Sequence, residues 1–365
     1  MTGHADRLAR LRLARSEGVG PRTWLRLMAH FGTAAEALEG LPGMSARGGR
    51  RRPLKPCPER DAETELAALE ARGGRMVLLG DADYPEALAA LPDPPPALSV
   101  LGDAARLAGP AVGVVGMRNG SAVGRKFARK LAADLGAAGA VVVSGMARGI
   151  DTAAHEGSLA TGSVAVLAGG VDIPYPRENE GLYRRLAEEG AVVSDQPLGT
   201  VPTARHFPPR NRIISGLSLG VAVVEANLRS GSLITARLAN EQGRVVFAVP
   251  GSPLDPRAAG PNDLLRQGAV LTENAEDVLA AIEGMARPAG PRPGSAARAG
   301  IPPPEEVDDS ARGIVVSRLG HAPLTVDELV RECQLSAASV QTVLLELELA
   351  GRVSRQPGNR VSLIT

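Results

Sequence analysis

The 365-residue sequence has few aromatic residues, 2% Phe, Trp and Tyr, so its core must be built from Val, Leu, Ala and Ile, and any exposed ring becomes conspicuous. Cysteine is scarce too. Cys57 and Cys333 stand far apart with no CxxC and no Cys/His spacing, which excludes a disulfide framework and a zinc module and reads as two reduced thiols. Lysine is nearly missing: Lys55, Lys126 and Lys130 are the only lysines among 41 basic residues, so almost all positive charge is guanidinium, suited to planar bidentate contact with oxyanions. A codon bias toward Arg accounts for the same count. No run approaches the roughly 18 apolar residues of a membrane helix. The opening residues lack a signal peptide's apolar stretch, so a cytoplasmic protein away from membranes is expected. Nor is there an excess of charge. With 41 basic against 40 acidic residues the formal charge is +1, which argues against a polybasic protein that coats duplex DNA and leaves local placement to decide.

The length is enough for two or three domains at about 100–200 residues each. Two stretches, 45–60 and 286–304, are rich in Pro, Gly and Arg without apolar periodicity and read as linkers or long surface loops. The expected division is an N-terminal helical domain with a basic loop (1–72), a large central block (75–285), a linker (286–305) and a C-terminal domain (306–365). Around Leu8–Leu13 and Trp24–His30 the pattern is amphipathic and helical. The joining Gly18-Val19-Gly20-Pro21 resembles the turn of helix-hairpin-helix and sterile-alpha-motif-like units, but so short a motif recurs by chance, and a plain helical bundle with Trp24 in its core is the preferred reading.

The central block alternates. Short β-branched runs at Met76–Leu79, Val112–Val115, Val141–Val143, Val164–Ala168, Ala191–Val193, Val221–Val224 and Val245–Val249 predict buried parallel strands. Helical stretches lie between them near 121–138, 149–160, 178–189, 208–217 and 231–242. The fold class is therefore α/β, a doubly wound sheet whose ligands sit at the carboxyl ends of its strands. The tail predicts helices at Arg312–Leu319, Thr325–Cys333 and Ser336–Gly351, then two β segments about a Pro357-Gly358-Asn359 turn, which is a winged helix.

Several strand-end loops share one composition. Gly116-Met117-Arg118-Asn119-Gly120-Ser121 precedes a helix, whose N-terminus offers free amides to an anion, and reads as a phosphate site holding an arginine. It is neither a Walker loop nor GxGxxG, and the next strand ends in Ser144 where a dinucleotide fold places an acid, so NAD and ATP are disfavoured. Ser144-Gly145-Met146-Ala147-Arg148-Gly149 repeats the design. Asp151 and His155, four apart on the helix that follows, have no third ligand nearby and read as a helix-start acid and a packed side chain. Further on come Gly169, Tyr175-Pro176, the cluster Phe207, Arg210, Asn211 and Arg212 at a helix start, and Ser230-Gly231. An aromatic beside phosphate-binding arginines is how single-stranded nucleic acid is held without sequence preference; Arg212 equally suits an internal ion pair, with Glu225 as partner. No Ser/His/Asp triad, carboxylate pair or metal cluster converges on these loops, so binding without a cofactor, not catalysis, is expected.

Six ordered segments, VVGMRNGSAVG (115–124), SGMARGIDTAAH (144–155), AVLAGGVDIPYPREN (165–179), FPPRNRIISGLS (207–218), VVEANLRSGSLITARLANEQGR (223–244) and FAVPGS (247–252), resemble the motif series of the DNA-processing protein A (DprA/Smf) family. The resemblance implies an extended Rossmann-like domain flanked by a sterile-alpha-motif-like and a winged-helix domain. It implies a homodimer that binds single-stranded DNA, loads the recombinase RecA during natural transformation, and has single-stranded DNA-binding protein as a possible further partner. It places DNA contacts at Arg118, Arg148, Phe207, Arg210, Asn211 and Arg212. Two departures from the family pattern are Met117, where a small residue is usual, and Ser194-Asp195-Gln196-Pro197.

Two rivals belong to other classes. A nucleotide hydrolase of the lysine-decarboxylase-like group requires a PGGxGTxxE signature, whose glutamate neither 229–235 nor 249–252 supplies. A winged-helix regulator requires a basic recognition helix. Residues 336–350 hold no Arg or Lys, two glutamates (Glu346, Glu348) and Gln341 alone for base reading, while Arg352, Arg355 and Arg360 on the wing leave backbone contact or protein docking open.

Overall fold

The computed structural model describes residues 3–283, 285, 307–356 and 358–364; the expected linker at 286–305 and Pro357 lie outside these. The described chain forms two compact units, one from the residues up to Thr64 together with those from Val307 onward, the other from Glu65 to Met285. The two flanking segments, expected as separate domains, therefore share one body.

Four helices build the N-terminal segment: α1 (Gly3–Arg15), α2 (Pro21–Phe31), α3 (Ala34–Arg47) and α4 (Glu59–Glu70). Pro21 opens α2 behind Gly20, and Trp24 is buried with Leu11, Leu13 and Leu27. The stretch 45–60 is not a free linker. Its first residues finish α3, and Leu54 is buried, its N–H donating to Ser45 Oγ at 2.9 Å.

The central unit runs β1 (Arg75–Leu78), α5 (Glu86–Ala89), β2 (Ala97–Gly102), β3 (Ala111–Val115), α6 (Ala122–Ala137), β4 (Val141–Ser144), α7 (Ile150–Ser158), β5 (Ser163–Val166), α8 (Glu180–Glu189), β6 (Ala191–Ser194), α9 (Phe207–Leu217), β7 (Gly220–Val223), α10 (Gly231–Glu241), β8 (Val245–Ala248), α11 (Ala259–Arg266), β9 (Val270–Leu271) and α12 (Ala275–Ile282). The sheet order is β1-β2-β6-β5-β4-β3-β7-β8-β9. From β6 to β9 all neighbours are parallel, and the chain starts in the middle at β3, winds one way to β6 and returns to the other side at β7. Apolar cores cover both faces, as a parallel sheet requires. One strand assignment needs correcting: β1 is not parallel but pairs antiparallel with β2, which pairs antiparallel with β6.

The C-terminal segment is a winged helix of α13 (Asp309–Arg318), β10 (Leu324–Thr325), α14 (Val326–Cys333), α15 (Ala337–Leu349), β11 (Val353–Gln356) and β12 (Arg360–Leu363), its strands in the order β10-β12-β11. A capping box between Thr325 and Glu328 starts α14. Among the described residues no helix is long and apolar enough to cross a membrane.

Candidate nucleic-acid interface

The loops after β3, β4, β5 and β6 gather at the carboxyl end of the sheet, where a doubly wound fold places ligands. The β3 and β4 loops are held against each other. Gly149 has φ of +82°, and a Cβ there would lie 2.4 Å from the Met117 carbonyl oxygen and 2.5 Å from that of Arg118, so only glycine fits. The β5 loop is tied in by Asn179, whose amide donates to Met146 O at 2.9 Å and to Thr152 Oγ1 at 3.0 Å.

Together they line a groove of about 740 Å³ that contains Arg118, Gly145, Arg148 and Phe207 of the predicted residues. The Arg118 guanidinium carbon lies 5.2 Å from the Phe207 ring centroid. Tyr175, 42% exposed, stands beside Phe207 with centroids 5.7 Å apart and planes tilted by 56°. Arg148 is exposed, its guanidinium 3.5 Å from the equally exposed Glu178, a pair worth little in water. Tyr175 and Arg177, both exposed and both lining the groove, are absent from the residues expected to bind. In a chain with so few rings, an exposed tyrosine in a strand-end loop is the available signal.

Beneath the groove lies a buried charged layer. Asp151 sits at the start of α7 and accepts the backbone N–H groups of Gly145 (3.2 Å), Ala147 (3.3 Å) and Gly116. Burial pushes its carboxyl up to about 6, against the pull of Arg210 and those three donors. Arg210 Nη1 donates to Gly145 O at 2.6 Å and also to Val166 O, while burial lowers its pKa to about 10 despite Asp151. His155 is fully buried, its Nδ1 2.8 Å from Ser163 Oγ and its Nε2 without a hydrogen-bond partner. Burial, then the Arg210 charge, lowers its pKa to about 3.

This layer changes the expected site. Arg210, Asn211 and Arg212 are 6–9% exposed and are held by internal partners. Asn211 reaches Gly231 O at 3.4 Å. Arg212 pairs with Asp195 at 3.4 Å and donates to Asp93 O, so its partner is not Glu225. The unusual 194–197 loop thus supplies the carboxylate that neutralises Arg212, and Ser194 Oγ donates to Gly169 O at 2.5 Å. Gly169 and Ser144 are buried, Ser144 Oγ donating to Val114 O at 2.6 Å.

The expected phosphate position at the start of α6 is also taken from within. Glu225 accepts Ser121 N–H at 2.7 Å and Ser121 Oγ at 2.6 Å, so the anion at this helix N-terminus is the protein's own carboxylate. Asn119 is exposed beside Arg118, and Ser230 caps α10 next to exposed Gly231; none of these lines the groove.

With this geometry in view, comparison with known proteins assigns the family. The family described as DNA recombination-mediator protein A matches residues 75–283, its N-terminal helix-hairpin-helix domain 4–68 and its winged-helix domain 299–359. Protein Smf of Escherichia coli is 38% identical over 84% of this chain and 82% of its own length. DNA processing protein DprA of Bacillus subtilis is 45% identical over 59% and 73%. The structure of DNA processing protein A from Streptococcus pneumoniae superposes with a TM-score of 0.63 at 35% identity, covering 74% of this chain and 95% of that one. That of the Helicobacter pylori protein, described for its single-stranded DNA binding mode, gives 0.53 at 30% identity over 57% and 95%. The chain belongs to the DNA recombination-mediator protein A (DprA/Smf) family.

Proposed function

We propose that this recombination mediator binds single-stranded DNA along the groove without sequence preference, in the cytoplasm and without catalysing a reaction. The observation that carries the reading is the arrangement of Arg118 over Phe207 with Tyr175 alongside, open to solvent and flanked by Arg148 and Arg177. Bases have a π-face whatever their identity, so rings hold them without reading sequence, while guanidiniums fix the phosphates between. Asn119 and the Ser230–Gly231 turn, which Asn211 ties to α9, extend the path for the backbone. Membership of a recombination-mediator family and the single-stranded DNA binding described for the Helicobacter pylori protein support the choice of ligand.

The partner set that accompanies this reading is a second copy bound through the Rossmann-like unit, the recombinase RecA, which receives the strand during DNA uptake, and single-stranded DNA-binding protein. The test is an anisotropy titration against oligo-dT across a salt series, with duplex as competitor. Arg118→Ala and Arg148→Ala should each weaken binding and flatten the logarithmic salt slope by about 0.7, the increment for one phosphate contact on a single strand. Unchanged affinity and slope in both would remove the groove from the proposal. Incubation with nucleoside monophosphates should release no base.

A further inference from the structure

The feature that the groove leaves unexplained is the pair of glutamates on α15, Glu346 and Glu348, two positions apart and so on different sides of the helix. A winged helix usually lays this helix in a duplex groove, and two glutamates there would oppose the phosphates. In the flanking unit they have another occupant. Glu346 is 1% exposed and bridges two elements: Arg47 of α3 at 2.6 Å, and Arg312 of α13 at 2.7 Å. Glu348 accepts Thr23 Oγ1 of α2 at 2.9 Å, pairs with Arg26 of α2, and pairs with Arg355 of β11 at 3.2 Å.

Each glutamate thus joins an arginine of the winged helix to an arginine of the N-terminal segment. The backbones meet as well. A Cβ on Gly48, just past the end of α3, would lie 2.0 Å from the Glu346 carbonyl oxygen, so the absence of a side chain there lets the two helices abut. Arg352 Nη1 donates to Gly48 O at 3.2 Å, closing the contact from the wing. Two of the three wing arginines are therefore engaged internally.

We infer that the winged helix is a docking module whose partner is this chain's own N-terminal helical domain, latched by Glu346 and Glu348, and that the latch closes α15 to a nucleic-acid groove. The carboxylates are built for the latch. A side chain that is 1% exposed and shared by two guanidiniums is screened far less by salt than a surface pair, so the contact persists at physiological ionic strength. Removing the arginines of one side leaves a buried carboxylate short of a partner, which opens the latch from that side alone.

The experiment uses the full chain with a protease site inserted between residues 286 and 305, cleaved after folding and passed over a sizing column at 0.15 M NaCl. The C-terminal piece should elute with the remainder, and excess duplex oligonucleotide should not displace it. Arg26→Ala/Arg47→Ala, which leaves every winged-helix residue in place, should release the piece. Glu346→Gln/Glu348→Gln should do the same. Where the glutamate pair also lowers the thermal midpoint of the uncut chain, the arginine pair decides the outcome. Release of the unsubstituted piece at this salt, its displacement by duplex, or retention in the Arg26→Ala/Arg47→Ala chain would each overturn the inference.

Discussion

The rim of the groove and its floor use the same residue to opposite ends. Arg118 and Arg148 on the rim are exposed, one over a ring and one loosely beside Glu178. Arg210 and Arg212 on the floor are buried, Arg210 spent on the carbonyls of Gly145 and Val166 in the field of Asp151, Arg212 on the Asp93 carbonyl and the Asp195 carboxylate. A guanidinium destined for a phosphate must keep its hydration until the ligand arrives, whereas one that organises loops exchanges water for protein acceptors, as Arg210 Nη1 does for two carbonyls while its Nε stays buried without a partner among the described residues. An arginine in a shared motif is therefore as suited to building the loops as to meeting a phosphate.

The sharpest way to break this comparison is Arg210→Ala. It orphans the carbonyls of Gly145 and Val166 and removes the charge that pulls Asp151 toward its ionised form; each buried acceptor left without a donor costs about 1–3 kcal/mol. Urea denaturation should show that loss, while Arg118→Ala and Arg148→Ala should stay within about 0.5 kcal/mol of the parent. An Arg210→Ala chain with an unchanged midpoint and a flattened salt slope would move Arg210 from the floor to the strand.

The floor also holds two buried groups whose titration bears on stability. His155, held neutral with its pKa lowered to about 3, contributes stability that is present above about pH 6.5 and lost as the pH falls toward 3. Asp151 works the other way. With its pKa raised to about 6, its burial penalty is present at neutral pH and relieved as the pH falls through 6 toward 4. The two offset each other between pH 6 and 4. His155→Asn, which keeps an amide near Ser163, should uncover the Asp151 relief, so the variant gains on the parent by roughly 2 kcal/mol between pH 7 and 5, at about 1.4 kcal/mol per unit of pH below 6.5. Equal pH profiles for the two chains would show that His155 ionises freely in the fold.

How much of this is legible in the sequence follows from what pattern can encode. Val112–Val115 and Val141–Val143 announce their strands because buried parallel strands are continuous β-branched runs. β2 escapes the pattern: Pro94–Pro96 run up to it and Ser99 interrupts its apolar residues. β9 is two residues long. α3 is hidden by Gly40, Pro42 and Gly43, whose low helix propensity is overridden by the burial of Leu41 and Met44. At the site, Gly-rich loops and Phe207 can be read directly. The seating of Glu225 on Ser121, 104 residues away, cannot, because it depends on how β7 lies beside β3. Nor can the inward turn of Arg210, Asn211 and Arg212: three consecutive helical residues are all buried because loops from several strands close over the start of α9.

The smallest expected effect sharpens the rim itself. Phe207 touches both regions, with Arg118 at 5.2 Å and Arg210 at 5.8 Å from its centroid, whereas Tyr175 leans on Phe207 from the open side. If both rings stack bases, Tyr175→Ala and Phe207→Ala each cost about 1–3 kcal/mol of oligo-dT affinity with no change in salt slope, since neither removes a charge. Tyr175 should fall at the lower end, because Phe207 remains as a platform without it. Phe207 should fall at the upper end, because its loss also frees the Arg118 guanidinium from the ring that positions it. A flattened slope for Phe207→Ala with none for Tyr175→Ala would mean that the ring serves chiefly to aim Arg118, joining floor to rim through one side chain.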